Sequence, residues 1–150
     1  MTAGEICIRE VAIATRKETL MEASKRMREY HVGNLVVVEE KEGERIPIGI
    51  LTDRDIVVGV MANAPDYIGS LTVEDVMTPE PVTALENDDI AEVLKKMRSR
   101  GFRRIPVVNA KGGLEGILTL DDVLEQIWEQ LTDMVTIISR EQNLEKERRA

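Results

Sequence analysis

The tetrapeptide Gly-Ile-Leu-Thr occurs twice, at Gly49–Thr52 and Gly116–Thr119, and an aspartate follows three residues after each threonine, Asp55 and Asp122. Each copy ends an apolar run and opens an amphipathic one, which predicts a strand leading into a helix. The similarity spreads outward from there. A shift of 70 residues sets Leu20 on Ile90, Met27 on Met97, Arg28 on Arg98 and Val37-Val38 on Val107-Val108. A hairpin turn three residues shorter in the second half then aligns the tetrapeptides. Identical residues at the same place in the same order of elements mark an internal repeat, not two coincident amphipathic patterns. Each unit reads β-α-β-β-α. A unit this small buries a sheet poorly on its own, so the two are expected to pack against each other in an α+β fold.

The chain divides accordingly. Residues 1–70 are read as a lead-in and the first repeat, 71–132 as the second repeat, and 133–150 as a charged helical tail. In the first repeat, Val11–Ala14 predicts a short strand. Glu18–Tyr30 predicts a helix with Leu20, Ala23, Met27 and Tyr30 at helical spacing. Leu35–Val38 is a buried-strand run, Glu39–Arg45 a charged turn, and Ile46–Leu51 a strand whose Pro47 suggests an edge or a start. Asp53–Ala62 follows as a helix burying Ile56, Val57, Val60 and Met61, and Ala64–Ser70 as the linker. The second repeat has a short helix or turn at Val73–Met77, stopped by Pro79 and Pro81, then a strand at Val82–Ala84. Asp88 and Asp89 open a helix with Ile90, Val93, Leu94 and Met97 on its apolar face. Strands follow at Arg104–Val108 and Leu114–Leu118, and the last helix starts at Asp121.

A strand-to-helix junction leaves backbone N–H groups pointing outward, a natural place for a phosphate or ribose. A carboxylate accepts two hydrogen bonds from a vicinal diol, and a hydroxyl donates to a phosphate oxygen. Thr52 with Asp55, and Thr119 with Asp122, therefore suit a nucleotide. Thr and Asp near a helix start are also ordinary capping residues; their recurrence at both junctions favours binding.

Composition narrows the alternatives. A net charge of −8 disfavours a surface made for nucleic acid or anionic membrane, although Arg100, Arg103 and Arg104 are clustered. No apolar run is long enough to span a bilayer and no signal peptide opens the chain, which predicts a soluble cytoplasmic protein. Cys7, the one cysteine, has no second cysteine or histidine near it, so a metal site or thiol nucleophile is not expected. His31 follows a helix and reads as a helix-end residue. Lys111 precedes a glycine pair and forms no P-loop, and the methionines sit at core spacing. No constellation of residues would run a reaction.

The segments GILTDRDI, DVMTPEPVTA and FRRIPVVNAKGGLEGILTLDDV, with the repeat itself, make the chain resemble a tandem pair of CBS domains, the module of cystathionine β-synthase, from about Val11 to Leu131. It is similar to small stand-alone prokaryotic CBS pairs. The resemblance implies two sheets packed about a pseudo-two-fold axis, two clefts between them, and AMP, ADP, ATP or S-adenosylmethionine as ligand. It implies that Asp55 and Asp122 hold ribose hydroxyls and that Thr52 and Thr119 contact ribose or phosphate. It also implies that Arg103 or Arg104 reaches phosphates, and that backbone at Ile13 and Ala14, and at Thr83 and Ala84, meets adenine. Strand alternation would send only one of Arg103 and Arg104 into a cleft. The first repeat departs from the pattern, with Gly33 and Asn34 in place of the arginines and Val36 in place of Pro106. Arg54 is a candidate to compensate.

In the last helix, Leu124, Trp128, Leu131, Val135 and Ile138 alternate spacings of four and three, a coiled-coil seam beyond the second repeat's own core. This favours a homodimer with Trp128 as anchor. The tail from Ser139 to Ala150 is mostly charged and is expected to fray. The expectation is a nucleotide-sensing regulatory module acting on a separate protein, with no catalytic cofactor. The rival is a dimeric scaffold whose clefts have lost their ligand.

Overall fold

Both β-branched runs become central strands in the computed structural model, which describes residues 1–150. The first sheet has the order β1 (Ile13–Ala14), β2 (Asn34–Lys41), β3 (Glu44–Thr52), β4 (Thr78–Pro79); the second has β5 (Ala84–Leu85), β6 (Arg104–Val108), β7 (Leu114–Thr119). β1 and β5 run parallel to their neighbours β2 and β6, and the hairpins β2–β3 and β6–β7 are antiparallel. The result is an α+β pair of matching units.

Their helices match as well. α2 (Leu20–Tyr30) is capped by Thr19, whose hydroxyl accepts the Glu22 N–H at 3.1 Å while the Glu22 carboxylate accepts the Thr19 N–H at 2.9 Å. It buries Leu20, Ala23 and Met27 and ends at His31, which adopts φ 54°. α4 (Ile90–Arg100) is capped by Asp89, buries Ile90, Val93 and Met97, and ends at Gly101 with φ 72°. His31 thus sits at a left-handed helix end where the second repeat places glycine. Tyr30 and Leu94 lie off the buried stripe: Tyr30 is exposed and Leu94 half-buried.

Each unit has its own aliphatic core, and the two share a third. Leu35, Val37, Leu51, Ile56 and Val60 join α2 in the first. Ile105, Val107, Leu118 and Val123 join α4 in the second. Val36 and Val38 meet Ile117 between the sheets. Alternation along β2 explains this: odd positions face the helices and even positions face the other repeat.

The opening segments are exchanged. α1 (Ala3–Ile6) packs on the second core, with Ala3 fully buried there. The N–H groups of Ala3 and Gly4 donate to the carbonyls of Asp88 and Glu86 at 2.9 Å, and Ile8 pairs with Ile117. α3 (Val73–Val76) packs on the first core, with the Val73 N–H donating to the Glu18 carbonyl at 2.9 Å. The lead-in read as part of residues 1–70 therefore completes the second repeat, and the segment after the linker completes the first.

Four sequence expectations change. The charged stretch Glu39–Arg45 is mostly strand, because Glu40 pairs with Arg45 and Lys41 with Glu44; the turn is only Glu42 and Gly43, both at positive φ. Pro47 is inside β3, at the bulge opposite Val38, where a missing N–H is tolerated. The helix after β3 winds wide, as a π-helix over Asp55–Met61. It buries Ile56 and Val60 but leaves Val57 and Met61 exposed with Val58, since only one of its sides meets the sheet. Finally, α5 (Leu120–Arg149) does not fray at Ser139 but runs 30 residues, about 45 Å at 1.5 Å per residue. Glu145 and Arg149, one turn apart at 3.1 Å, support its end. No helix is long and apolar enough to cross a membrane.

Candidate nucleotide clefts

Thr52 and Asp55 cap the π-helical turn reciprocally. The Asp55 N–H donates to Thr52 Oγ1 at 3.1 Å, and the Thr52 N–H donates to Asp55 Oδ2 at 2.9 Å. Thr119 and Asp122 cap α5 the same way, at 3.2 and 3.1 Å, and the Thr119 hydroxyl also donates to Asp122 Oδ2 at 2.6 Å. Capping is therefore a real role of both pairs. It uses only Oδ2 of each carboxylate and leaves Oδ1 without a partner, free to accept from a diol.

Two clefts are each built from both repeats: Thr52 and Asp55 both line the first, whereas Thr119 lines the second and Asp122 does not. The first encloses about 470 Å³ and is lined by Ile50, Thr52 and Asp55 of the first repeat and by Thr78–Val82 and Arg100–Arg104 of the second. The second encloses about 320 Å³ and is lined by Ile8, Glu10–Ala12 and His31–Asn34, with Arg104, Ile117 and Thr119 of the second repeat. The exchange of opening segments explains the mixture. β4 lies against Gly49 and Ile50, and Ile8 lies against Ile117, so the strand after each opening helix forms a wall of the other repeat's cleft.

Charge is distributed unequally. The first cleft has Arg100, Arg103 and Arg104 against the carboxylates of Asp55 and Glu80. The second has Arg104 against Glu10. Arg103 and Arg104 both line the first cleft, where alternation had predicted one. Arg103 precedes the first residue of β6, so strand alternation does not bind it. Arg103 also forms an exposed pair with Asp121 at 3.1 Å.

The remaining predicted residues lie elsewhere. Arg54 is exposed and lines neither cleft. Ala14 and Ala84 are buried in their sheets. Ile13 lines a separate groove with Arg26 and Tyr30, and its carbonyl accepts from Arg26 at 2.8 Å. The Thr83 carbonyl accepts from Lys96 at 3.4 Å. The residues of the preceding stretches that line the clefts are instead Ile8 and Glu10–Ala12 in the second and Thr78–Val82 in the first. Arg100, Glu80 and Phe102, not singled out from the sequence as nucleotide-site candidates, also line the first cleft. Arg100 had a signal, being a second-repeat arginine one helical end before Arg103. No set of three His, Cys, Asp or Glu side chains is placed to hold a metal ion.

Residues 3–61 and 73–129 match the CBS domain. An uncharacterized protein of Methanopyrus kandleri, MK0525, is 35% identical over 127 residues, 83% of this chain, which spans 62% of that protein's length. The Bacillus subtilis protein YlbB is 36% identical over 140 residues, 91% of this chain and 90% of its own. Among solved structures, the CBS domain of a bacterial CNNM/CorC family Mg2+ transporter in complex with ATP superposes with a TM-score of 0.73 at 26% identity, covering 85% of this chain and 87% of that one. The CBS domain pair of protein MJ0100 with 5′-methylthioadenosine and S-adenosyl-L-methionine gives a TM-score of 0.71 at 25% identity, covering 85% and 99%. With two matched domains, the repeat and the paired sheets in agreement, this chain belongs to the CBS-domain family as a tandem pair.

Proposed function

We propose that the chain is a regulatory module, not an enzyme, that binds an adenosine ligand between its repeats: AMP, ADP, ATP or S-adenosylmethionine. The observation that carries this reading is the first cleft. It sets a free carboxylate oxygen and a hydroxyl, suited to ribose, in one cavity with three arginines, suited to phosphate. Both solved relatives hold adenosine compounds, which supports the same ligand class here. Binding changes the shape or assembly of the module and so its affinity for a separate regulated protein; this requires unequal ligand affinity for two conformations. A cytoplasmic setting fits the single free thiol of Cys7.

Thermal unfolding against AMP, ADP, ATP, S-adenosylmethionine and GTP tests this. A ligand at a hundred times its dissociation constant stabilises the fold by about 2.7 kcal/mol, and each kcal/mol raises the midpoint by roughly 2–8 °C. A rise with adenosine ligands and none with GTP supports the reading.

One observation favours a second reading, a dimeric scaffold. Leu124, Trp128, Leu131, Val135 and Ile138 of α5 are all more than half exposed, and only Val123 of that helix is buried. Such a stripe calls for a partner helix, and a second copy supplies one. No thermal shift with any ligand, in protein shown to be ligand-free, points to this reading. The two readings also combine, since a homodimer can carry the ligand clefts.

A further inference from the structure

Arg104 lines both clefts. It opens β6, opposite Thr119 in the hairpin register, on the wall the two cavities share. In the first cleft Arg100 and Arg103 assist it. In the second it is the one arginine or lysine, and Glu10 opposes an anion there. The first-repeat positions matching the three arginines are Tyr30, Gly33 and Asn34.

We propose that the two clefts share one phosphate-binding charge. A nucleoside polyphosphate takes the first cleft, and while it is there the second takes an adenosyl ligand without phosphate. This rests on the reading of the clefts as adenosine sites. A guanidinium carries one positive charge, and a second phosphate brought beside one that it already pairs meets repulsion with no charge left to neutralise it. The first cleft wins the contest because its three arginines outnumber its two carboxylates, Asp55 and Glu80, whereas in the second Glu10 offsets Arg104. Arg103 is not held back by Asp121: both partners are mostly exposed, with 70% and 77% of their side-chain surface open, and such pairs contribute little. With Arg104 engaged, the second cleft retains Thr119 for a ribose and Glu10 against any second anion.

Calorimetric titration of the full chain with ATP and with 5′-methylthioadenosine, singly and in sequence, tests this. The expected result is one tight ATP per chain and one 5′-methylthioadenosine that still binds the ATP-loaded protein. Arg104→Gln weakens ATP by about tenfold, the loss of one charge-assisted contact. Two equal ATP sites per chain overturn the proposal, as does an Arg104→Gln protein that binds ATP like wild type. If neither compound binds wild type at all, the adenosine reading itself fails, and the proposal with it.

Discussion

Asp55 and Arg103 belong to different repeats yet line one cleft. The carboxylate comes from the turn after β3, and the guanidinium from the turn before β6. Neither repeat alone therefore encloses this cleft.

Substitutions separate the capping role of Asp55 from the ribose-binding role proposed for it. Asp55→Ala removes the acceptor for the Thr52 N–H and is expected to cost about 0.5–2 kcal/mol of stability, the usual range for a lost cap. Asp55→Asn retains an acceptor oxygen but loses the charge. Urea unfolding should rank wild type and Asp55→Asn close together, with Asp55→Ala below both.

Each glycine of the repeated tetrapeptide is explained by the segment that crosses it. A Cβ on Gly116 would stand 2.6 Å from Cys7 Sγ and 2.8 Å from the Ile8 carbonyl oxygen. A Cβ on Gly49 would meet Met77 Sδ and stand 3.1 Å from the Thr78 carbonyl oxygen. Both alanine variants are expected to lose about 1–3 kcal/mol, the usual cost of overpacking. Gly116→Ala should be the worse, because a backbone carbonyl yields less readily than the flexible Met77. Paired urea melts give the order.

Asp88 gives the fold an acid-sensitive contact. Hydrogen bonds from Lys96 at 3.0 Å and from the Leu85 N–H hold its carboxyl below the usual carboxylate range, against the effect of burial. A folded-state pKa below the unfolded one stabilises the protein above the unfolded value, near pH 4, and that stability is lost as pH falls through the folded value. Asp88→Asn should therefore narrow the gap to wild type as pH drops from 5 to 3, followed by thermal unfolding across that range.

The exposed stripe of α5 carries the proposal of self-association through that helix. Leu131→Asp with Ile138→Asp places charge at two positions that are 51% and 57% exposed in one chain. Such changes should leave the melting of each unit nearly intact and abolish the dimer in sedimentation velocity. A wild-type monomer at all concentrations, or a dimer that survives both charges, argues against the seam.

The repeat, the fold class and the two Thr–Asp pairs were legible because each is written locally, as an identical segment at a strand-to-helix junction. The exchange of opening helices was not. Ala3 and Val73 are short-range apolar residues whose partners, in the other repeat's core, lie far away in sequence. For the same reason the sequence did not show that Arg103 and Arg104, which share a repeat with Asp122, line a cleft with Asp55. Ala14 and Ala84 pair with Val37 and Val107 inside the sheets, and the residues just before them, not they, line the two clefts. The wide winding at Asp55–Met61 has no signature in a sequence read for helical period alone.

The most direct test of the central claim is equilibrium dialysis of labelled ATP against wild type and Asp55→Asn, with folding of both checked by circular dichroism. The account predicts saturable binding to wild type and at least tenfold weaker binding to a folded Asp55→Asn protein. Wild-type affinity in that variant, or no saturable binding to ligand-free wild type, would contradict it.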